Sequence, residues 1–115
     1  MVTGQDFVEW QLRVAAGEPL PLRQEDVPLR GHAIEARIYA ENPDNDFLPG
    51  SGHVHFDSPP AGCGSFGLDS TVRVDAGVKQ GNDVSIYYDP MISKLIVHGK
   101  DRAEALRILD GALAD

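Results

Sequence analysis

Between His32 and Glu41 the chain alternates almost without a break, with Ile34, Ala36, Ile38 and Ala40 on one side and Glu35, Arg37, Tyr39 and Glu41 on the other. A period of two is the pleat of a β-strand, so this segment buries one face and leaves ionisable groups on the other. Such a strand needs partners. His53 to Asp57, Thr71 to Ala76, Asp83 to Tyr88 and the most apolar run, Ile92 to His98, supply them. Lys79-Gln80-Gly81-Asn82 predicts a hairpin-like turn joining the Thr71 and Asp83 strands, because Gly81 can take a positive φ. Asn42-Pro43-Asp44-Asn45-Asp46 and Pro49-Gly50-Ser51-Gly52 are turn clusters. Phe47 and Leu48 lie between them and are expected to plug the loop into the core. Ser58 to Leu68 is rich in Pro and Gly and predicts no regular structure.

Helical signals lie at both ends. Thr3 is expected to cap a first helix, with Asp6 three positions on as a variant capping box. Phe7, Val8, Trp10, Leu12, Val14 and Ala15 then fall on helical spacing for about four turns, and Gly17 supplies the stop. Glu18-Pro19-Leu20-Pro21-Leu22 cannot prolong that helix and reads as an extended connector. Asp101 and Glu104 form a second capping box, and Ala105, Leu106, Leu109, Ala112 and Leu113 mark the buried stripe of the helix that follows. The order helix, strands, helix predicts an α+β fold, a largely antiparallel sheet flanked by an N-terminal and a C-terminal helix.

At 115 residues the chain suits one modest core. No apolar run reaches the length of a membrane span, and no secretory signal pattern follows Met1. The net charge of −8, from 10 basic and 18 acidic residues, disfavours nucleic acid, whose phosphates such a surface repels. Cys63 is the one cysteine, so it has no internal disulfide partner and no metal-binding mate, and it suits a reducing compartment. Its surroundings offer no activating base or cation, which makes a catalytic thiol the weaker reading.

No complete catalytic site is legible. Phosphate-loop, dinucleotide, zinc-protease and nucleophile-elbow patterns are all missing from the sequence. His53 and His55 would share a strand face, with Asp57 extending the row, but further metal ligands at a recognisable spacing are wanting. A solvated strand face is the preferred reading, and no metal or cofactor ligand is assigned. His32 and His98 read as ordinary strand-end residues. Glu35 and Arg37 suit a surface ion pair, or a contact with a neighbouring domain, and as a surface pair they add little to stability. Arg73 and Asp75 would hold a guanidinium beside a carboxylate on one strand face, an arrangement suited to an oxyanion. From spacing alone, a structural salt bridge is favoured there too.

Longer stretches change that balance. Gly31-His32-Ala33-Ile34-Glu35-Ala36-Arg37-Ile38-Tyr39-Ala40-Glu41-Asn42-Pro43, Phe47-Leu48-Pro49, Val72-Arg73-Val74-Asp75-Ala76-Gly77-Val78 and Tyr87-Tyr88-Asp89-Pro90-Met91-Ile92-Ser93-Lys94-Leu95 together resemble the biotin carboxylase C-terminal domain. Val2 to Leu20 resembles the helix that closes the preceding ATP-grasp region. The likeness follows the chain in order, and only Ser58 to Ser70 is atypical. It implies a division into residues 1–22, the closing helix and connector of the ATP-grasp region, and residues 23–115, a C-terminal domain whose family normally runs further. Among acyl-CoA carboxylases, the Trp10-Gln11-Leu12-Arg13 helix and the Gly31 strand resemble the methylcrotonoyl-CoA branch. Gly81 to Tyr88 leans towards the propionyl-CoA branch, which is second choice.

The resemblance implies that ATP and bicarbonate, with magnesium as cofactor, make a carboxyphosphate, followed by carboxylation of the ureido nitrogen of protein-linked biotin. It places Arg73 against the ureido group as the catalytic residue, with Asp75 supporting biotin binding. The family's nucleotide, magnesium and bicarbonate residues precede the segment resembled here, so the chain alone is expected to be inactive. Implied partners are the rest of the biotin carboxylase subunit, a biotin carrier domain and a carboxyltransferase subunit, in an oligomer. No nucleic acid and no membrane are implied. The implied location is the mitochondrial matrix in a eukaryote or the cytoplasm in a bacterium. A carrier module would place a lysine between two methionines at a hairpin tip, whereas Lys94 sits inside a strand pattern. A non-catalytic assembly element, with a contact across Val97 to Arg102, is the remaining alternative.

Overall fold

The computed structural model describes residues 1–64 and 70–115, so the Ser65 to Leu68 part of the expected irregular stretch lies outside the described residues. Helix α1 spans Phe7–Ala15, nine residues rather than the longer helix the spacing suggests. Its cap is Asp6, not Thr3. Gly4 stands at φ 65° and breaks the chain between them, and Asp6 Oδ1 accepts from the Val8 and Glu9 amides at 2.9 and 3.0 Å. At the other end Gly17 takes φ 90°. The Glu18 and Gly17 amides donate back to the Arg13 and Val14 carbonyls, each at 3.0 Å, which makes a Schellman stop. Phe7, Val8, Leu12 and Val14 remain exposed along the helix.

Strand β1 runs from His32 to Tyr39, and the short strands β2 (Glu41–Asn42) and β3 (Leu48–Pro49) pair with each other. Strand β4 covers Gly52–His53, β5 Val72–Ala76, β6 Asp83–Val84 and β7 Met91–Gly99, and helix α2 spans Arg102–Ala114. The main sheet has the order β1-β7-β5 and is antiparallel throughout. The apolar β7 therefore lies in the middle, where it has a partner on each side. The expected α+β architecture, an antiparallel sheet between an N-terminal and a C-terminal helix in sequence, is the one observed.

The expected hairpin between the Thr71 and Asp83 strands does not form. The Lys79–Asn82 turn is present, with Asn82 N donating to Lys79 O at 2.9 Å. It connects β5, which pairs with β7, to β6, which pairs with β4 in a separate ribbon. Pairing with β7 gives Val72 and Val74 an apolar neighbour that the short β6 cannot provide. After Val84 the expected strand stops, and Ile86, Tyr87 and Tyr88 are exposed. The expected strand from His53 to Asp57 is likewise reduced to β4 plus two closing bonds at Val54, whose N donates to Asn82 O and whose O accepts from Gly81 N. Phe47 and Leu48 do not plug the core, being 64% and 54% exposed. Asp46 and Phe47 both take left-handed backbone, at φ 51° and 55°, and close a tight loop that leaves Phe47 in solvent.

Helix α2 covers one face of the sheet. Asp101 Oδ1 accepts from Glu104 N at 2.8 Å, and Glu104 Oε2 reaches back to Lys100 N at 2.6 Å, so the expected box forms with its return bond one residue earlier. Gly99 lets α2 start close to the sheet, since a Cβ there would stand 2.6 Å from Ala105 N. Leu95, Val97 and Ala105 are the buried apolar residues among those described. The buried stripe of α2 is therefore centred on Ala105, with Ile108, Leu109 and Ala112 half-buried, while Leu106 and Leu113 of the expected stripe are exposed. Between the α2 end and the sheet lies a cavity of about 300 Å³ bordered by Ile38, Val54, Val74, Leu95 and Ala112.

Candidate functional site

The register of the main sheet sorts its side chains into two faces. Ile34, Val97 and Val72 stand in one row, and Ala36, Leu95 and Val74 in the next, forming the face that α2 covers. The opposite face carries Glu35, Ile96 and Arg73 in one row and Arg37, Lys94 and Asp75 in the adjacent row. Directly opposed side chains in such rows have Cβ atoms about 5 Å apart. Three cations and two carboxylates thus meet on one sheet face, drawn from three strands far apart in sequence.

Within this group Arg73 and Asp75 form the tightest pair. Arg73 Nε donates to Asp75 Oδ1 and Oδ2 at 2.8 and 3.0 Å, and Nη2 donates to Oδ2 at 2.5 Å. The two side chains are only 23% and 13% exposed, against 59% and 38% for Arg37 and Glu35, which bond at 3.0 Å. Water therefore screens the β1 pair much more than the β5 pair. The hydrogen bonds to Asp75 hold the Arg73 guanidinium above its ordinary pKa despite partial burial, with the Asp75, Asp6 and Glu35 charges adding to the effect. Arg37 is raised as well, first by its bond to Glu35. Arg73 is thus a permanently charged, planar donor whose orientation is set by its own strand neighbour, the requirement for stabilising an oxyanion that develops at a fixed place.

Sequence reasoning placed Lys94 in a strand but did not place it in this group. Strand alternation says which side a residue takes on its own strand, and only cross-strand register brings Lys94 between Arg37 and Asp75. Lys94 borders a shallow cleft of about 280 Å³ with Asp75, Ala76, Gly77, Met91 and Ser93.

The other sequence candidates lie apart from this face. His53 Nδ1 meets Asp83 Oδ1 at 2.9 Å, and the His53 and His55 rings pack edge to face 5.0 Å apart. Among the described residues no group of three or more His, Cys, Asp or Glu side chains is placed to hold a metal ion. His98 donates from Nε2 to the Arg30 carbonyl at 2.8 Å, tying down the entry to β1. Cys63 is a half-buried free thiol. No helix among the described residues is long and apolar enough to cross a membrane.

The family profile described as "Biotin carboxylase C-terminal domain" matches residues 35–115, which include the whole charged face. The chain belongs to this family. It is 57% identical over 107 residues to the mitochondrial methylcrotonoyl-CoA carboxylase subunit alpha of Rattus norvegicus, covering 92% of this chain and 14% of that protein. To the mitochondrial propionyl-CoA carboxylase alpha chain of Mus musculus it is 47% identical over 113 residues, covering 97% of this chain and 15% of that protein. Among solved structures it superposes on the biotin carboxylase domain dimer of the Hydrogenobacter thermophilus 2-oxoglutarate carboxylase, crystallised with MgADP, ADP and bicarbonate. That match has TM-score 0.87 and 38% identity over 99% of this chain and 24% of that one. The chain thus spans about one seventh of the curated relatives it matches. The order of identities agrees with the sequence preference for the methylcrotonoyl-CoA branch over the propionyl-CoA branch.

Proposed function

We propose that this chain is the C-terminal part of the biotin carboxylase half of a methylcrotonoyl-CoA carboxylase alpha subunit, and that Arg73 is its catalytic residue. The observation that carries the reading is the Arg73–Asp75 pair, a guanidinium oriented by a half-buried carboxylate on an ionic sheet face. In the complete subunit, ATP and bicarbonate supply the activated carboxyl group, and protein-linked biotin receives it on a ureido nitrogen. Removing the ureido proton pushes negative charge onto the ureido oxygen. Arg73 donates to that oxygen, and its fixed plane lowers the cost of the charge because no reorganisation is needed as the charge develops. Asp75 supports biotin binding by fixing the guanidinium plane.

Residues 1–22 close the preceding ATP-grasp region and residues 23–115 form the C-terminal domain, so the exposed apolar side of α1 belongs against the rest of the subunit. By itself the chain is inactive. Its partners are the remainder of the biotin carboxylase subunit, a biotin carrier domain and a carboxyltransferase subunit, within an oligomer. The mitochondrial names of the relatives support a matrix location in a eukaryote. The test is Arg73→Ala in a complete subunit carrying this sequence, following ADP release with bicarbonate, with and without biotin. Selective loss of the biotin-dependent rate supports the assignment. Equal loss of both rates refutes it and points to a structural salt bridge.

A further inference from the structure

Among the described residues the charged face contains one cation that its carboxylates leave over. Glu35 bonds to Arg37 at 3.0 Å, and Asp75 is held by three contacts from Arg73. Lys94 lies between the two pairs on the central strand, opposite Arg37 on one side and Asp75 on the other. It is half-buried and makes no hydrogen bond or ion pair with a described residue. Lys94 stands beside the Arg37 guanidinium and opposite a carboxylate already engaged by Arg73, so its ammonium is placed to take an added anion. The arrangement opens towards the cleft of about 280 Å³ that Lys94 borders, and its Cβ stands diagonally about 7–8 Å from that of Arg73. A four-carbon side chain spans that distance easily.

We propose that Lys94 is a second binding residue of the site, holding the carboxylate that biotin acquires. This rests on the assignment of Arg73 to the ureido oxygen. Carboxylation places an anionic carboxylate on the nitrogen next to the ureido carbonyl, so the product presents two oxygen-bearing groups side by side. Arg73 receives the carbonyl oxygen common to substrate and product. Lys94 receives the group that only the product has. It therefore discriminates carboxylated from free biotin, and draws the equilibrium on the protein towards the carboxylated form.

The experiment uses a complete biotin carboxylase subunit carrying this sequence, as wild type and as Lys94→Met, Lys94→Arg and Arg73→Ala. Two probes are compared by their dissociation constants in isothermal titration calorimetry, a readout independent of turnover: freshly prepared N-carboxybiotin, and the analogue in which only the N-carboxylate is capped as a methyl ester. Wild type should prefer the probe with the free N-carboxylate. Lys94→Met should reduce that preference about tenfold, the loss expected for one charge-assisted hydrogen bond. Lys94→Arg should retain most of it. Arg73→Ala should weaken both probes together. If Lys94→Met keeps the full preference, or weakens both probes equally, Lys94 does not hold the carboxylate. A loss in Lys94→Met that Lys94→Arg does not recover also overturns the proposal, by indicating damage to the sheet. If Arg73→Ala weakens neither probe, the failure lies in the Arg73 assignment and takes the inference with it.

Discussion

The two faces of the β1-β7-β5 sheet are built from the same strands, one residue out of phase, yet different physics holds them. On the α2 side, Leu95 and Val97 are buried against apolar neighbours, and their contribution is area removed from water. On the other side, the side chains of Glu35, Arg37, Lys94, Arg73 and Asp75 keep much of their charge balance among themselves. Within that ionic face there is a second contrast. The pair on β1 is largely solvated, and the pair on β5 is not. Ion pairing alone therefore does not mark a site. Pairing combined with withdrawal from water does, because a partly desolvated charge held in place can act on a ligand at low cost in reorganisation.

If the ionic face is the chemical one, Arg73→Ala should cost the most. Biotin carboxylation by the complete subunit is expected to fall by about a hundredfold to a thousandfold, or about 3–4 kcal/mol of transition-state stabilisation. Bicarbonate-dependent ATP cleavage should hardly move, as steady-state ADP release will report. On the apolar face the readout is stability. Val97 is fully buried, so Val97→Ala should lower unfolding free energy by about 2 kcal/mol, read as a lower urea midpoint at unchanged slope. A smaller value would mean that the neighbouring cavity lets the site relax.

Asp101→Ala removes the cap that accepts from Glu104 N at 2.8 Å. It should cost about 1 kcal/mol in the same titration. At the small end, Arg37→Ala should leave the urea midpoint within error of wild type, since its pair with Glu35 is exposed. A clear loss of biotin carboxylation in Arg37→Ala would break the contrast between the β1 and β5 pairs and extend the site across the whole face.

Features that depend on neighbours in sequence were legible from the residues. Alternation along His32 to Tyr39 foretold both its strand and the side on which Glu35 and Arg37 would lie. Asp101 with Glu104, and Gly17 after Ala16, marked helix ends because caps and stops are made by side chains and backbone within a few residues. Arg73 and Asp75, two apart on one strand, were readable as a pair for the same reason. The near miss at Thr3 is instructive. Its hydroxyl suits a cap, but the left-handed Gly4 behind it moved the start of α1 to Asp6.

Choices between distant partners were not legible. Thr71 to Ala76 and Asp83 to Tyr88 flank a sound turn, yet β5 pairs with β7 and β6 with β4, because strand pairing is settled by which apolar faces can be buried together. Lys94 shows the consequence for function. Local pattern puts it on a strand, and its place between Arg37 and Asp75 exists only once three strands have taken their register. Backbone preference and side-chain spacing act over a few residues, so the sequence alone was enough for the strand, the helix caps and the guanidinium–carboxylate pair. The grouping of charges on one face depends on burying the other face beneath α2, a long-range balance of hydrophobic area that tertiary packing resolves.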